Sequence, residues 1–261
     1  MTWWQGLVLG VVQGLTEFLP ISSSGHLVVA EAAFGLTTPG VLLEVVLHVA
    51  TLLAVVVVYW SRLTELLIGV VKGRRSAWRY VGLLLIGSIP AGLVGFLLAD
   101  LIEHAFESLI IVGSNFVATA LILWSTRWAM RRGTAGEPSA SSAFGIGVAQ
   151  ALAILPGISR SGSTIAAATW LGMDAVRAAE YSFLLAIPAI MGAGLLQVIS
   201  LSDEAGTLAS GPLMIGFVAA LVSGILAIKL LVLLLRKGTF YRFAPYCLAL
   251  GVLTIVWGLL R

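Results

Sequence analysis

Two short stretches of this chain concentrate side chains that can do chemistry. Gln13, Glu17, Ser22, Ser23, Ser24, Gly25 and His26 lie within QGLTEFLPISSSGH, and Ser159, Arg160, Ser161, Gly162, Ser163 and Thr164 lie within QALAILPGISRSGST. In each, a proline precedes a cluster of hydroxyls and a glycine, the pattern of a helix that stops and restarts. The restarting half-helix offers free backbone N–H groups and the positive end of its dipole, which favours an anion. The hydroxyls add donors, and Gly25 and Gly162 let the backbone come close to a ligand. Arg160 contributes a permanent charge in a planar fork that matches phosphate oxygens. Two such turns and one arginine point to a phosphate-bearing ligand. The plainer alternative is that the small residues only pack helices and Arg160 only neutralises Glu17.

A carboxylate beside a phosphate is repulsive. Glu17 therefore implies a bridging divalent cation (Mg2+ or Ca2+), a protonated acid or a proton carrier. Gln13 stands one helical turn earlier on the same face and can hold the same ligand. His26 is a candidate nucleophile or general acid, with Ser23 and water as the other nucleophiles. Glu44 and His48, also four apart, either complete the site or form a structural pair. His104 reads as solvated, and Asp174, Arg177 and Glu180 as a surface charge cluster.

The two stretches are copies of one another. Gln13 and Gln150, Leu15 and Leu152, Ser22 and Ser159, Ser24 and Ser161, Gly25 and Gly162, and Gly35 and Gly172 are all 137 apart (150 against 13), and Ser23 falls on Arg160. That register is an internal duplication. The 261 residues are 59% hydrophobic and 10% charged, with mean hydropathy +1.06. Soluble domains carry about 25% charge, so this is an integral membrane protein. A lone cysteine, Cys247, excludes an intramolecular disulfide or a Cys-based metal site. The net charge of +3 suits cytoplasmic basic loops and gives no reason to expect nucleic acid. MTWW lacks the basic start of a cleavable signal, and Trp3 and Trp4 read as interfacial anchors.

The elements that must position these residues read as a single all-α polytopic membrane domain, 1–261, of two halves, about 1–126 and 143–261, joined by linker 127–142. Each half holds one re-entrant broken helix pair and three transmembrane helices. The broken pairs cover 3–34 and 143–172; the spans are expected at 41–60, 80–99 and 108–126, then at 179–200, 212–235 and 244–260. Broken backbone at membrane depth must be buried in protein or line a wet cavity. The basic loop 61–79 corresponds in the repeat register to 198–216, which carries Asp203 and Glu204; the acidic loop 100–107 corresponds to 237–244, which carries Lys237 and Arg242. Matching loops thus face opposite sides under the positive-inside rule, and the halves form an inverted-topology repeat. Both termini then lie outside, and the tips of the broken pairs meet near mid-membrane.

At these residues the chain resembles the undecaprenyl-diphosphatase family, also called the bacitracin-resistance family, over nearly its whole length. A Glu or Gln separated by three residues from a Glu matches Gln13 and Glu17. A serine-glycine-histidine segment matches Ser22, Ser23, Ser24, Gly25 and His26, and a PGxSRSG motif matches Pro156, Gly157, Ser159, Arg160, Ser161 and Gly162. Many members carry Glu where this chain has Gln13, so a role there that needs charge does not transfer. The resemblance implies removal of the terminal phosphate of undecaprenyl diphosphate in the bacterial inner (plasma) membrane, regenerating the lipid carrier for peptidoglycan synthesis. It also implies a functional core of Glu17, Ser23, His26 and Arg160. The outward orientation of the first broken pair adds the expectation that the site opens to the outer face. The partners expected are the polyprenyl diphosphate and the bilayer, with a homo-oligomer left open.

Two rivals remain to be weighed. The other membrane lipid phosphatase family, with PSGH and a later SR…H…D, is echoed by SSSGH and Ser159–Arg160, but no histidine follows Arg160. A flippase or anion transporter would use the same inverted repeat. Catalysis is favoured over transport by Glu17 and His26 beside the hydroxyls, since a passive anion site gains little from a carboxylate.

Overall fold

The computed structural model describes residues 1–34, 41–130, 133–200 and 210–261. Gly35, Arg131, Arg132, Asp203 and Glu204 lie outside the described residues, as does the side chain of Glu44. The described chain is helical: α1 (Trp3–Phe18), α2 (Ser23–Phe34), α3 (Val41–Val58), α4 (Trp60–Val71), α5 (Arg75–Leu97), α6 (Ala99–Phe106), α7 (Leu109–Ala129), α8 (Ala140–Leu152), α9 (Arg160–Trp170), α10 (Ala175–Ser200), α11 (Ser210–Arg236) and α12 (Ala244–Leu260), with a 3-10 turn at Phe240–Phe243. Among these residues five helices are long and apolar enough to cross a membrane, or six if the bent pair α3–α4 counts as one span. Leu121, Leu226 and Leu253 stand more than half exposed, the outward-facing apolar surface that lipid solvates. The described residues are those of a polytopic, helical membrane protein.

Local sequence explains the breaks. Thr2 opens α1 with a capping box, its hydroxyl accepting from the Gln5 N–H while its own N–H donates to the Gln5 side chain. Leu19, preceding Pro20, is extended (φ −66°, ψ 146°) and ends α1. After Pro20 the chain reverses through Ser22 in the left-handed region (φ +68°), and α2 starts. In the second copy Gly157 holds the positive φ (+92°), and Ser159 caps α9 by accepting from the Gly162 N–H at 3.0 Å. α8 begins 137 residues after α1 (140 against 3), and α9 begins 137 after α2 (160 against 23).

Two expectations are corrected. The basic stretch 61–79 is not a loop. After α3 the chain bends by 77° into α4, whose apolar Leu66 and Gly69 are buried while Lys72 and the neighbouring basic residues stay exposed. The amphipathic pattern lets it lie along the protein rather than cross. The acidic stretch 100–107 likewise forms a helix, α6, with Asp100 in its first turn where the dipole favours an acid. Of the surface cluster expected at Asp174, Arg177 and Glu180, the last two pair at 3.2 Å and join a larger network. In it Arg62 reaches Glu180 at 3.0 Å, Glu65 at 2.9 Å and Glu137 at 3.9 Å, and Arg79 reaches Glu137 at 2.5 Å. Asp174 instead accepts from the Val176 and Arg177 N–H groups at the start of α10.

Packing follows small residues, since lipid gives helices little hydrophobic reason to associate. α1 lies against α11, where a Cβ on Gly6, Gly10 or Gly14 would stand within 2.4 Å of Pro212, Gly216 or Ala220 carbonyl oxygens. α8 lies against α5 in the same manner through Gly147 and Gly87. α7 lies against α12 through Gly113 and Gly251. Gly10→Ala is expected to destabilise the fold by about 1–3 kcal/mol through overpacking against backbone that cannot move aside. Thermal unfolding in detergent checks this against Gly92→Ala, whose added Cβ meets nothing within 4 Å. Equal midpoints for the two variants would rule out the close approach of α1 and α11.

Candidate active site

The two turns touch. A Cβ on Gly25 would stand 2.9 Å from the Gly157 Cα and 2.6 Å from the Phe116 ring, so only glycine lets α2 begin where the second turn passes. The Ser161 hydroxyl donates to the Leu19 carbonyl at 3.2 Å, tying one turn to the other. α7 holds the second turn in place: Asn115 donates to the Pro156 carbonyl at 2.7 Å, Thr119 donates to the Gly157 carbonyl at 2.8 Å, and the Ser159 N–H donates back to the Thr119 hydroxyl at 3.0 Å. These bonds satisfy backbone groups that a broken helix would otherwise leave unpaired away from water.

Glu17 is the centre of the cluster and is nearly fully buried (7% exposed). Its Oε1 accepts from Arg160 Nη2 at 2.5 Å. Its Oε2 accepts from the Ser23 hydroxyl at 2.6 Å and from Gln13 Nε2 at 3.1 Å, and His48 Nε2 lies 3.9 Å away. A buried carboxylate needs this company, because desolvating an unpaired one is costly. Two buried polar atoms beside it have no hydrogen-bond partner: Arg160 Nη1, a donor, and Gln13 Oε1, an acceptor. Unpartnered buried groups at the meeting of two turns are the places a ligand would satisfy.

His26 is gripped at both ring nitrogens. Nδ1 lies 2.7 Å from the Ser22 carbonyl, which can only accept, so Nδ1 carries the proton. Nε2 then accepts from the Tyr246 hydroxyl at 2.6 Å. The ring stacks on Tyr246 (5.7 Å, 6°) and meets Phe116 edge-on (5.2 Å, 89°). Ser22 reaches Ser24 at 3.4 Å and accepts from the Gly25 N–H at 3.4 Å. On the second turn Ser159 and Ser161 are 3.3 Å apart.

The structure therefore brings Gln13, Glu17, Ser23 and Arg160 into one hydrogen-bonded group, with Ser22, Ser24, Gly25 and His26 around its α2 side and Ser159, Ser161 and Gly162 on its α9 side. Thr164 points elsewhere: its hydroxyl bonds the Arg160 carbonyl at 2.7 Å and the Ser182 hydroxyl at 2.6 Å, on α10. His48 does reach Glu17, whereas His104 is exposed and donates to the Asp100 carbonyl at 2.7 Å. Among the described residues no group of three or more His, Cys, Asp or Glu side chains could hold a metal. The oxygens present are the Glu17 carboxylate, the unpartnered Gln13 Oε1 and the Ser23 hydroxyl. Such a set fits a magnesium-like ion that takes one carboxylate and completes its shell from substrate phosphates and water. Asn115, Thr119, Tyr246 and Phe116 were not singled out in the sequence. Asn115 and Thr119 stand four apart in an apolar helix, a polar pair that carried a usable signal, but Tyr246 and Phe116 carried none.

The bacitracin resistance protein BacA family model matches residues 6–253. The chain is 42% identical over 273 residues to an undecaprenyl-diphosphatase of Desulfosudis oleivorans, covering 98% of both chains. It is 41% identical over 267 residues to one of Parabacteroides distasonis, covering 100% of both, and 42% identical over 262 residues to one of Bacteroides fragilis, covering 98% of both.

Proposed function

The chain belongs to the bacitracin resistance protein BacA family, and from that membership we propose that it is a phosphatase that hydrolyses undecaprenyl diphosphate to undecaprenyl phosphate and inorganic phosphate. The observation that carries the chemistry is the chain of contacts Ser23 hydroxyl, Glu17 carboxylate, Arg160 guanidinium, built across the two turns. It places a base on a hydroxyl and a permanent cation beside both, the parts that phosphoryl transfer needs.

In this reading the terminal phosphate lies at the start of α2 and takes a hydrogen bond from Arg160 Nη1. Ser23 Oγ attacks the terminal phosphorus while its proton passes to Glu17 Oε2. The bridging P–O bond breaks, and its electron pair leaves with undecaprenyl phosphate. Glu17 then loses its proton to solvent. Water attacks the phosphoserine, its proton passing through Glu17 to Ser23 Oγ as the Ser–O–P bond breaks and inorganic phosphate departs. Arg160 and the N-terminal ends of α2 and α9 stabilise charge on the transferring phosphoryl oxygens. His26 fixes the Ser22 turn and, through it, the aim of Ser23. Glu17 and Gln13 are the residues that would hold a divalent cation, Mg2+ or Ca2+, which would supply neutralisation of diphosphate charge.

The two halves are read as an inverted repeat of one domain, each with a re-entrant pair (α1–α2 and α8–α9), the tips meeting at mid-membrane and the site open to the outer face of the inner membrane. The helix starts shared at an offset of 137, and the reciprocal packing of α1 on α11 and α8 on α5, support it. The basic residues of 62–79, and Arg127 after them, would then face the cytoplasm. Release of the carrier lipid at the outer face suits its recycling for peptidoglycan synthesis.

The test is phosphate release from undecaprenyl diphosphate by the detergent-purified protein, with and without Mg2+ or Ca2+. Release by the wild type is expected, and its loss on chelation would place a cation at the site. A protein that binds the lipid and releases no phosphate is a transporter instead. Phosphate appearing inside sealed, right-side-out vesicles would overturn the outward opening.

A further inference from the structure

Away from the two turns, a groove of about 420 Å3 opens between α3, α10 and α11. Its walls are apolar, with Val58 and Val232 among them, but its rim carries Lys229 and Arg236, both exposed. These two cations stand seven residues apart on one face of α11, about 10.5 Å along the axis. Among the described residues neither forms an ion pair. Lys229 sits inside a segment apolar enough to span a membrane, where an ammonium group is disfavoured unless an anion or the interface receives it. The one acid on the groove, Glu180, is already neutralised by Arg62 at 3.0 Å and Arg177 at 3.2 Å, so the rim keeps its positive charge. Packed aromatic rings stand between the groove and the site. Tyr59, on its wall, packs on Phe183 (6.0 Å), and Phe183 packs on Phe18 (5.5 Å), the neighbour of Glu17.

We infer that this groove binds an anionic phospholipid of the surrounding bilayer, its phosphate between Lys229 and Arg236 and an acyl chain along Val58 and Val232. Charge complementarity selects an anionic headgroup, and basic pockets between membrane helices are suited to such lipids. The aromatic packing that separates groove from site favours a resident bilayer lipid over substrate in transit.

The experiment titrates the detergent-solubilised full chain with phosphatidylglycerol and with phosphatidylcholine of the same acyl chains, reading bound lipid by native mass spectrometry. Wild type is expected to prefer phosphatidylglycerol by about tenfold. The Lys229→Gln, Arg236→Gln double variant should lose most of that preference. A Lys237→Gln, Arg242→Gln control, which removes two nearby cations outside the groove, should keep it. The inference fails if the groove variant keeps the preference, or if the control loses it equally. It also fails if undecaprenyl phosphate displaces phosphatidylglycerol at equal concentration, because the occupant would then be product. Phosphate release measured on the same samples should be unchanged by the groove substitutions, so failure of this site and failure of the phosphatase reading appear in different readouts.

Discussion

Arg160→Ala is expected to lower kcat/KM for undecaprenyl diphosphate by about a thousandfold or more, the range seen when a transition-state arginine is removed from phosphoryl-transfer sites. Two effects combine. The phosphoryl oxygens lose the donor at Nη1, and Glu17 loses the partner at its Oε1 while remaining 7% exposed. An abandoned buried charge costs about 3–5 kcal/mol, so the variant should also unfold at lower temperature. The two effects separate with Arg160→Lys and with the double variant Arg160→Gln, Glu17→Gln. Lysine restores a charge without the planar fork, so it should recover much of the stability and little of the rate. The double variant removes the uncompensated charge and should be more stable than Arg160→Ala, yet equally inactive. Phosphate release and thermal unfolding on the same preparations check this. A folded Arg160→Ala that keeps activity within tenfold of wild type would reduce Arg160 to a structural counter-ion for Glu17.

The sequence carried the centre of this site because the centre is made of costly residues. Glu17 and Arg160 are 143 positions apart, but each is an ionisable group in an apolar stretch, and the repeat register pairs the two stretches that carry them. The same register anticipated where α2 and α9 begin. What escaped was whatever is cheap or distant. Tyr246 contacts His26 across 220 positions, and an aromatic residue in a membrane helix is ordinary in itself. Asn115 and Thr119 were readable as a polar pair, but nothing local said that they hold the backbone of the second turn. α4 was hidden for another reason. Its charges dominate a reading made by loop sign, while its buried face rests on only a leucine and a glycine. Thr164 shows the opposite limit: a hydroxyl at the right spacing whose partners in this structure lie on its own helix and on α10. Spacing places a residue on a turn, and only packing decides which way its hydroxyl points.

Ser23→Ala is expected to abolish turnover, with kcat falling by about ten-thousandfold or more, the scale on which removing a covalent nucleophile acts. KM should change little, because the lost hydroxyl contributes a hydrogen bond worth only about 0.5–1.5 kcal/mol. The fold should survive, since Glu17 keeps Arg160 and Gln13 when Ser23 is removed. This split distinguishes a nucleophile from a residue that only orients water. In the second case water still reaches the phosphorus, and the loss should stay within about a hundredfold. Quenching in a denaturing detergent at neutral pH, which leaves both phosphoserine and phosphohistidine intact, during turnover of a substrate labelled in its terminal phosphate adds an independent readout. Wild type should carry the label on the peptide that contains Ser23, and Ser23→Ala should carry none. Label on His26 instead would move the covalent step to the imidazole, which would first have to give up its Tyr246 hydrogen bond at 2.6 Å. With Ser23 already donating to Glu17 at the same distance, the hydroxyl has its base in place and the imidazole does not.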